Sequence, residues 1–451
     1  MTSFPLITHR FAEDIVAYSG EQPITVARFL ADVRQLAAAL PAGRHVLNVC
    51  GDRYRFAVGM AAALLADKIS LLPPTLTLEM VSQVKSFAPD VFCLTDQPQA
   101  IDMPQFSWTD AVTNCVADGA IDIPQIPASR TAAIAFTSGS TGTPVAHRKS
   151  WGGLVLSVRA EAGRLGLLDG RAYSIVATVP PQHMFGLEST VLIALQSGAA
   201  IVAAHPFFPA DICTVLAAAP RPRMLVTTPV HLKVLLASSL DIPLVDLVLS
   251  ATAPLSPQLA LAAEHRLQAP LFEIYGSTET GQIASRRTTE GADWTLFPAV
   301  TLTASQGRAW ASGGHVEQPL PMADELELLT AERFLLHGRS ADLVNIAGKR
   351  SSLGYLNHQL NAVPGVLDGA FFMPDDDDGG KVTRLTAFAV APGMTAQALL
   401  ADLRKRIDAV FIPRPLVLMD VLPRNSTGKL PRDTLAALAR EHSHKSATDE
   451  L

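Results

Sequence analysis

The chain has 451 residues, 36 lysines and arginines against 42 aspartates and glutamates (net charge −6), 48% hydrophobic residues, 17% charged residues and four cysteines. At roughly 100 to 200 residues per domain this length holds several cores without disulfide or metal staples, which excludes extended disorder and fibrous repeats. The slight acidity offers no general attraction to phosphate backbones or anionic lipid, so nucleic-acid binding is disfavoured as the main role.

The N-terminal stretch MTSFPLITHRFAEDIVAYSG is interrupted by charge and proline before an apolar run develops. It is not expected to be a secretory signal, and the protein is expected to be cytoplasmic. Apolar residues at helical spacing predict a helix from Ile24 to Leu40, then a strand over 45–50, a helix over 58–68 and a buried strand over 69–74. Further apolar runs at 132–136, 173–179, 199–204, 223–228 and 247–251, with helical segments between most of them, predict α/β layers with largely parallel sheets. Cys50, Cys93, Cys115 and Cys213 form no C-x-x-C pair and mostly sit in apolar contexts, so they are read as reduced core residues.

The stretch from Ser189 to Ala210 carries no formal charge and has the length of a membrane span. Gln196, Ser197, Gly198 and the His205-Pro206 break divide it into a helix, a turn and a buried strand, so no span is expected. After about residue 290 shorter alternating runs (TLFPAVTLTAS, RAWASG, DELELLT, FLLHG) predict an antiparallel β subdomain. A final strand-helix unit begins near 340 and ends in a polar tail, EHSHKSATDEL, expected to fray. The run Asp375–Asp378 before two glycines is read as a solvated turn.

Chemistry concentrates first in AAIAF-TSGSTGTP (132–144), a buried strand emptying into a loop of Gly, Ser and Thr. Such a loop turns backbone N–H groups and hydroxyls toward a polyphosphate, and its spacing is not that of a Walker A loop. FEIYGSTETGQ (272–282) gives another strand followed by an aromatic, a glycine, two hydroxyls and a carboxylate. Tyr275 is suited to stack on a base, Ser277 and Thr278 to reach phosphate, and Glu279 to hold Mg²⁺, which prefers hard oxygen ligands. PMADELELL (321–329), LLHGRSADLVNIAGKR (335–350) and LPRNSTGKLPR (422–432) follow.

In this order and at these separations the five segments resemble the adenylate-forming superfamily of acyl- and aryl-CoA synthetases, nonribosomal-peptide adenylation domains and luciferases. The resemblance implies that Thr137, Ser138, Gly139, Ser140, Thr141 and Gly142 wrap the β- and γ-phosphates of ATP. In the same way Tyr275 would flank adenine, Thr278 contact phosphate and Glu279 bind Mg²⁺, with Gly276 and Ser277 as the other ATP-binding residues of this segment. Asp324 would grip the ribose hydroxyls, with Arg339 as the second ribose or phosphate contact, although Met322-Ala323 replaces the usual Thr-Gly. Lys429, in S-T-G-K, matches the lysine that closes over the site and steadies the charge developing at phosphorus. His183, in VPPQHMFGLE, falls on the H-x-x-G segment beside the acyl pocket.

Three departures stand out. Pro144-Val145-Ala146 replaces the usual P-K-G, so the loop lysine is missing, and Lys149 is the nearest substitute. The hinge position after G-R-x is Ala341, with Asp342 next. After Gly348-Lys349-Arg350 the usual S-P-x-E-I-E carboxylate is absent from Ser352–Asn357, which removes one C-terminal salt bridge.

The expected fold is α/β: residues 1–338 form a large N-terminal domain of two α/β sheets plus a small β subdomain, and 339–451 a mobile C-terminal α/β lid. The resemblance implies activation of a carboxylic acid by ATP, with Mg²⁺, as an acyl-adenylate, then transfer to a thiol. The stretch with His147, Arg148, Lys149 and Trp151 looks most like the AMP ligases of bacterial aryl polyene and xanthomonadin clusters, which implies a hydroxyaryl acid such as 4-hydroxybenzoate and an acyl carrier protein as acceptor. Asn345 is in keeping with aryl-acid activation, and Arg404–Arg406 form a basic cluster for an acidic carrier protein or a solvated helix face. Two alternatives stay open: a free-standing medium- or long-chain fatty acyl-CoA synthetase, separated by assay with coenzyme A against carrier protein, and a nucleotide-binding protein that has lost catalysis.

Overall fold

The computed structural model describes residues 2–108, 121–137, 144–305, 308–339, 343–346, 349–374, 385–425 and 430–448. Two sheets dominate it. The first has six strands, in spatial order Val145–Ser150, Thr131–Thr137, Ile69–Leu72, His45–Asn48, Phe92–Thr95 and Gln105–Ser107. All its pairings are parallel except the hairpin formed by the first two.

The second has eleven strands. Its parallel centre runs Ile15–Ser19, Ala200–Val202, Ser174–Ala177, Arg223–Thr227, Leu247–Ser250 and Leu271–Ser277. Strands such as SIVA (174–177) and LVLS (247–250) are buried along their whole length, as strands covered by helices on both faces must be. Helix Val26–Ala39 supplies one such cover. Val26, Phe29, Leu30, Val33 and Leu36 recur at helical spacing and are all buried, and the Thr25 hydroxyl caps the helix by accepting from the Arg28 N–H. Burying a side chain like Phe29 contributes about 1.5–3 kcal/mol.

Beyond Leu271–Ser277 the large sheet continues antiparallel through Gly281–Arg286, Trp294–Leu296, Arg333–Arg339 and Asp324–Leu328. The runs DELELLT and FLLHG therefore extend the main sheet, while Thr301–Ser305, Arg308–Gly313 and Val316–Pro321 alone form the separate three-stranded antiparallel sheet. Pairing the open edge of the large sheet satisfies backbone groups that would otherwise face solvent.

The predicted helix, turn and strand over 189–210 are present. The helix begins earlier, at Met184, and contains a π-helical turn, Leu187–Leu192; Gly198 turns at φ +78°, and Ala200–Val202 enters the sheet. Among the described residues no helix is long and apolar enough to cross a membrane. Cys50 and Cys93 are buried and Cys213 is half-buried, all as free thiols; burial pushes the Cys93 thiol up to about 12. Cys115 and Asp375–Asp378 lie outside the described residues.

C-terminal strands Asp368–Phe372, Thr386–Val390 and Leu416–Leu418 pack with helices Leu353–Asn361 and Ala396–Leu403 around Leu356, Leu360, Phe371, Leu399 and Leu403. Asn357 accepts from the Phe371 N–H at 2.5 Å, so this position bonds the strand backbone directly. The tail expected to fray is helical through Thr448, as part of helix Arg432–Thr448. Arg404, Lys405 and Arg406 are exposed, with Lys405 donating to Asp402 at 2.6 Å.

Candidate active site

The hairpin Thr131–Thr137/Val145–Ser150 pairs Thr137 with Val145 and Ala135 with His147. Its tip is the Gly/Ser/Thr segment, of which Ser138, Gly139, Ser140, Thr141 and Gly142 lie outside the described residues. Thr137, the last residue of the strand, has its hydroxyl 2.8 Å from His147 Nε2.

A second hairpin carries Glu279. Strand Leu271–Ser277 turns back as Gly281–Arg286 after a register shift at Tyr275/Gly276. Gly276 is obligatory there, because a Cβ would stand 2.2 Å from the Gly281 carbonyl oxygen. Within the turn, the Ser277 N–H donates to Thr280 Oγ1 and the Thr280 N–H to Ser277 Oγ, each at 3.2 Å. Thr278 and Glu279 are left half-buried at the tip.

Below the turn, Tyr275 is buried against Trp294 and Phe334, with ring centroids 5.5 and 5.6 Å away. Its hydroxyl donates to Asp324 Oδ2 at 2.6 Å. Asp324 in turn faces Arg339 in the antiparallel register of their strands. Met322, in place of the expected Thr, is buried, and its N–H donates to the Ala309 carbonyl at 2.8 Å.

The two hairpins meet through the strand Val145–Ser150. His147 Nε2 lies 3.7 Å from Glu279 Oε1, and Lys149 Nζ donates to the Glu279 carbonyl at 2.7 Å. Lys149 thus reaches the neighbouring turn. Burial lowers the ammonium from its ordinary value, against the opposing charges of Glu188, Glu279 and Glu317; burial likewise lowers His147, against Glu279.

Behind this junction is a buried polar layer that no spacing pattern announced. Ser157 donates to Glu188 at 3.1 Å, Ser189 donates to Glu161 at 2.7 Å, and Gln282 lies 2.7 Å from Ser189 Oγ. Burial raises Glu188 to about 7, relieved by the Lys149 charge, and holds Glu161 well above the usual carboxylate range. His315, buried in the same layer, is pushed down to about 4 by burial and then by the Lys149 charge. The π-helical turn turns Glu188 and Ser189 inward, where the sequence showed only two polar residues at the head of an apolar run.

His183 stands elsewhere. It precedes the helix at Met184 and lines a cavity of about 430 Å³ with Leu47, Val49, Leu71, Leu76 and Phe207. The cavity opens at the C-terminal ends of strands His45–Asn48 and Ile69–Leu72, the rim where open α/β sheets bind ligands. Gly186 lets the helix approach so closely that a Cβ would stand 1.9 Å from the Pro180 carbonyl oxygen.

Lys429, Ala341, Asp342 and Gly348 lie outside the described residues. Thr137, His147, Lys149 and Glu279 are thus brought together, as are Tyr275 and Asp324. Among the described residues no cluster of three or more His, Cys, Asp or Glu side chains can hold a metal by itself. A half-buried carboxylate at a turn fits Mg²⁺ nonetheless, because that ion keeps waters and phosphate oxygens and needs only one or two protein carboxylates.

Comparison with known proteins shows the family and the fold. The chain is 32% identical over 282 residues to a 4-coumarate–CoA ligase of Rhodobacter capsulatus, covering 62% of this chain and 69% of that one. It is 23% identical over 350 residues to a 3-hydroxybenzoate–CoA/4-hydroxybenzoate–CoA ligase of Thauera aromatica, covering 66% and 64%. The fold matches that of the o-succinylbenzoate CoA synthetase MenE from Bacillus subtilis with its acyl-adenylate, at TM-score 0.79 and 19% identity over 94% of this chain and 95% of that one. The family described as AMP-binding enzyme matches residues 8–333, and the chain belongs to it.

Proposed function

We propose that the protein activates an aromatic carboxylic acid, a hydroxyaryl acid such as 4-hydroxybenzoate, with ATP, and passes the acyl group to the pantetheine thiol of an acyl carrier protein. The observation that carries this reading is the convergence of Thr137 and Glu279 at one junction through His147, with Tyr275, on the strand that leads to Glu279, bonded to Asp324 of another strand. Relatives named for 4-coumarate, hydroxybenzoates and indoleacetate support an aromatic acid.

In the first step a carboxylate oxygen of the acid attacks the α-phosphorus of ATP and pyrophosphate leaves; in the second a thiol displaces AMP from the acyl carbon. Thr137 and the loop after it bind the phosphates, Tyr275 and Asp324 hold the nucleoside, and His183 faces the acid. Glu279 would hold Mg²⁺, which supplies charge neutralisation on the phosphates. Lys429, from a lid formed by 339–451, steadies the charge developing at phosphorus and then withdraws for the thiol. The cavity beside His183 is lined by Leu47, Val49, Leu71, Leu76 and Phe207, a surface suited to a ring or an alkyl chain.

The test is ATP-dependent pyrophosphate release with a panel of hydroxybenzoates, cinnamates and fatty acids, with Lys429→Ala as control. Release confined to hydroxyaryl acids and lost in the variant is expected. Release with fatty acids alone assigns a fatty acyl substrate, and silence with every acid despite ATP binding assigns nucleotide binding without catalysis. Comparing carrier protein with coenzyme A then identifies the acceptor.

A further inference from the structure

Strand Val145–Ser150 alternates its side chains between two faces, so 145, 147 and 149 share one face and 146 and 148 the other. On the second face Arg148 donates to Thr131 Oγ1 and to the Ser129 carbonyl, both at 2.6 Å. The first face carries Val145, where the resembled family has its loop lysine, and then His147 and Lys149.

Both of these reach one residue of the other sheet. Lys149 bonds the Glu279 carbonyl at 2.7 Å and so holds the main chain of the turn, while His147 Nε2, bonded to Thr137, lies 3.7 Å from the Glu279 carboxylate, a contact longer than a hydrogen bond. The Thr137 contact, at 2.8 Å, is at the mouth of the Gly/Ser/Thr loop. A lysine brought in from solvent loses hydration, and the Glu188 and Glu317 charges facing it offset that loss. The arrangement is therefore a built contact between two sheets.

We propose that Lys149 is a positioning residue that clamps the Glu279 turn by its backbone, with His147 packed between Thr137 and the Glu279 carboxylate as a secondary support. The clamp rests on the adenylation reading for its catalytic meaning, since it orients the residue offered there to the metal and phosphates. Its structural content does not depend on that reading. Holding the turn fixed before nucleotide binds is how a positioning group lowers a barrier without touching the reacting atoms.

The first test is hydrogen–deuterium exchange of the nucleotide-free full chain. Lys149→Ala is expected to speed exchange of the 276–282 amides about tenfold, and His147→Ala about threefold, with strands 174–177 and 247–250 unchanged. Because Lys149→Ala leaves Glu188 without its counter-charge, the double variant Lys149→Ala/Glu188→Gln is measured beside it and is expected to show the same local loss of protection. Unchanged exchange at 276–282, or a rise spread evenly over both sheets, overturns the proposal.

With an acid that the wild-type protein turns over, Lys149→Ala and the double variant should lower kcat for pyrophosphate release about 10- to 100-fold, with KM for the acid held within about twofold. Recovery of kcat in the double variant would overturn the clamp, because Lys149 would then only neutralise Glu188. If the wild-type protein turns over no acid, the adenylation reading fails while the exchange experiment still decides the clamp.

Discussion

The Tyr275 hydroxyl donates to the Asp324 carboxylate at 2.6 Å, joining the strand that leads to Glu279 with the strand that faces Arg339. The ring proposed to flank adenine and the acid proposed to grip ribose are one bonded unit. Tyr275 packs on Trp294 and Phe334, so the hydroxyl is aimed by a rigid aromatic cluster and the carboxylate by the hydroxyl.

Tyr275→Phe tests that coupling. Hydrogen bonds to charged groups are worth about 1.5–3 kcal/mol, so KM for ATP should rise about tenfold or more while kcat changes little. The ring stays in place, and the thermal midpoint should move by only about 2 °C. An unchanged KM for ATP in a pyrophosphate-release titration would show that Asp324 is oriented without Tyr275.

The turn that presents Glu279 depends on Gly276. In Gly276→Ala the new Cβ meets the Gly281 carbonyl oxygen, a backbone atom that cannot move without opening the hairpin. Stability should fall by about 1–3 kcal/mol, as for other overpacked sites. Urea denaturation measures it, and pyrophosphate release should fall further than the folded fraction does.

A buried carboxyl sets a pH dependence. Burial raises Glu161 well above the usual carboxylate range, and Ser189 bonds it without a charge to stabilise the anion. Above the unfolded-state pKa the unfolded chain has lost this proton and the folded chain keeps it. Stability therefore falls with rising pH, by about 1.4 kcal/mol per unit, until the folded group also ionises. Glu161→Gln removes this slope, so its stability relative to wild type should grow from pH 5 to pH 8. Parallel curves from urea denaturation across that range would refute the assignment.

Arg53, wholly buried, ties a helix to the large sheet by donating to Thr190 Oγ1 at 2.8 Å, to the Ala177 carbonyl at 3.1 Å and to the Val179 carbonyl at 2.9 Å. Arg53→Met fills much of the volume but leaves these three acceptors without their donor. A loss of about 2–4 kcal/mol is expected in chemical denaturation. A loss below about 1 kcal/mol would mean that the acceptors find other donors.

The sequence by itself determined the local pieces. Apolar runs such as 174–177 and 247–250 are strands because only continuous apolar strands suit a sheet covered on both faces. The strands leading into the two motifs, 131–137 and 271–277, were legible because strand periodicity acts over a few neighbouring residues, whereas that each turns back as a hairpin, through 145–150 and 281–286, came from the structure. Only the tertiary structure decided that Lys149 bonds a carbonyl 130 positions away, that Tyr275 reaches Asp324 across 49, and that DELELLT and FLLHG join the main sheet. It also decided that Glu161 and Glu188 are buried, where their positions in helices said nothing of what would cover them. Periodicity tells which face of an element is apolar; which element covers that face follows from sheet order and crossovers, and those are properties of the whole chain.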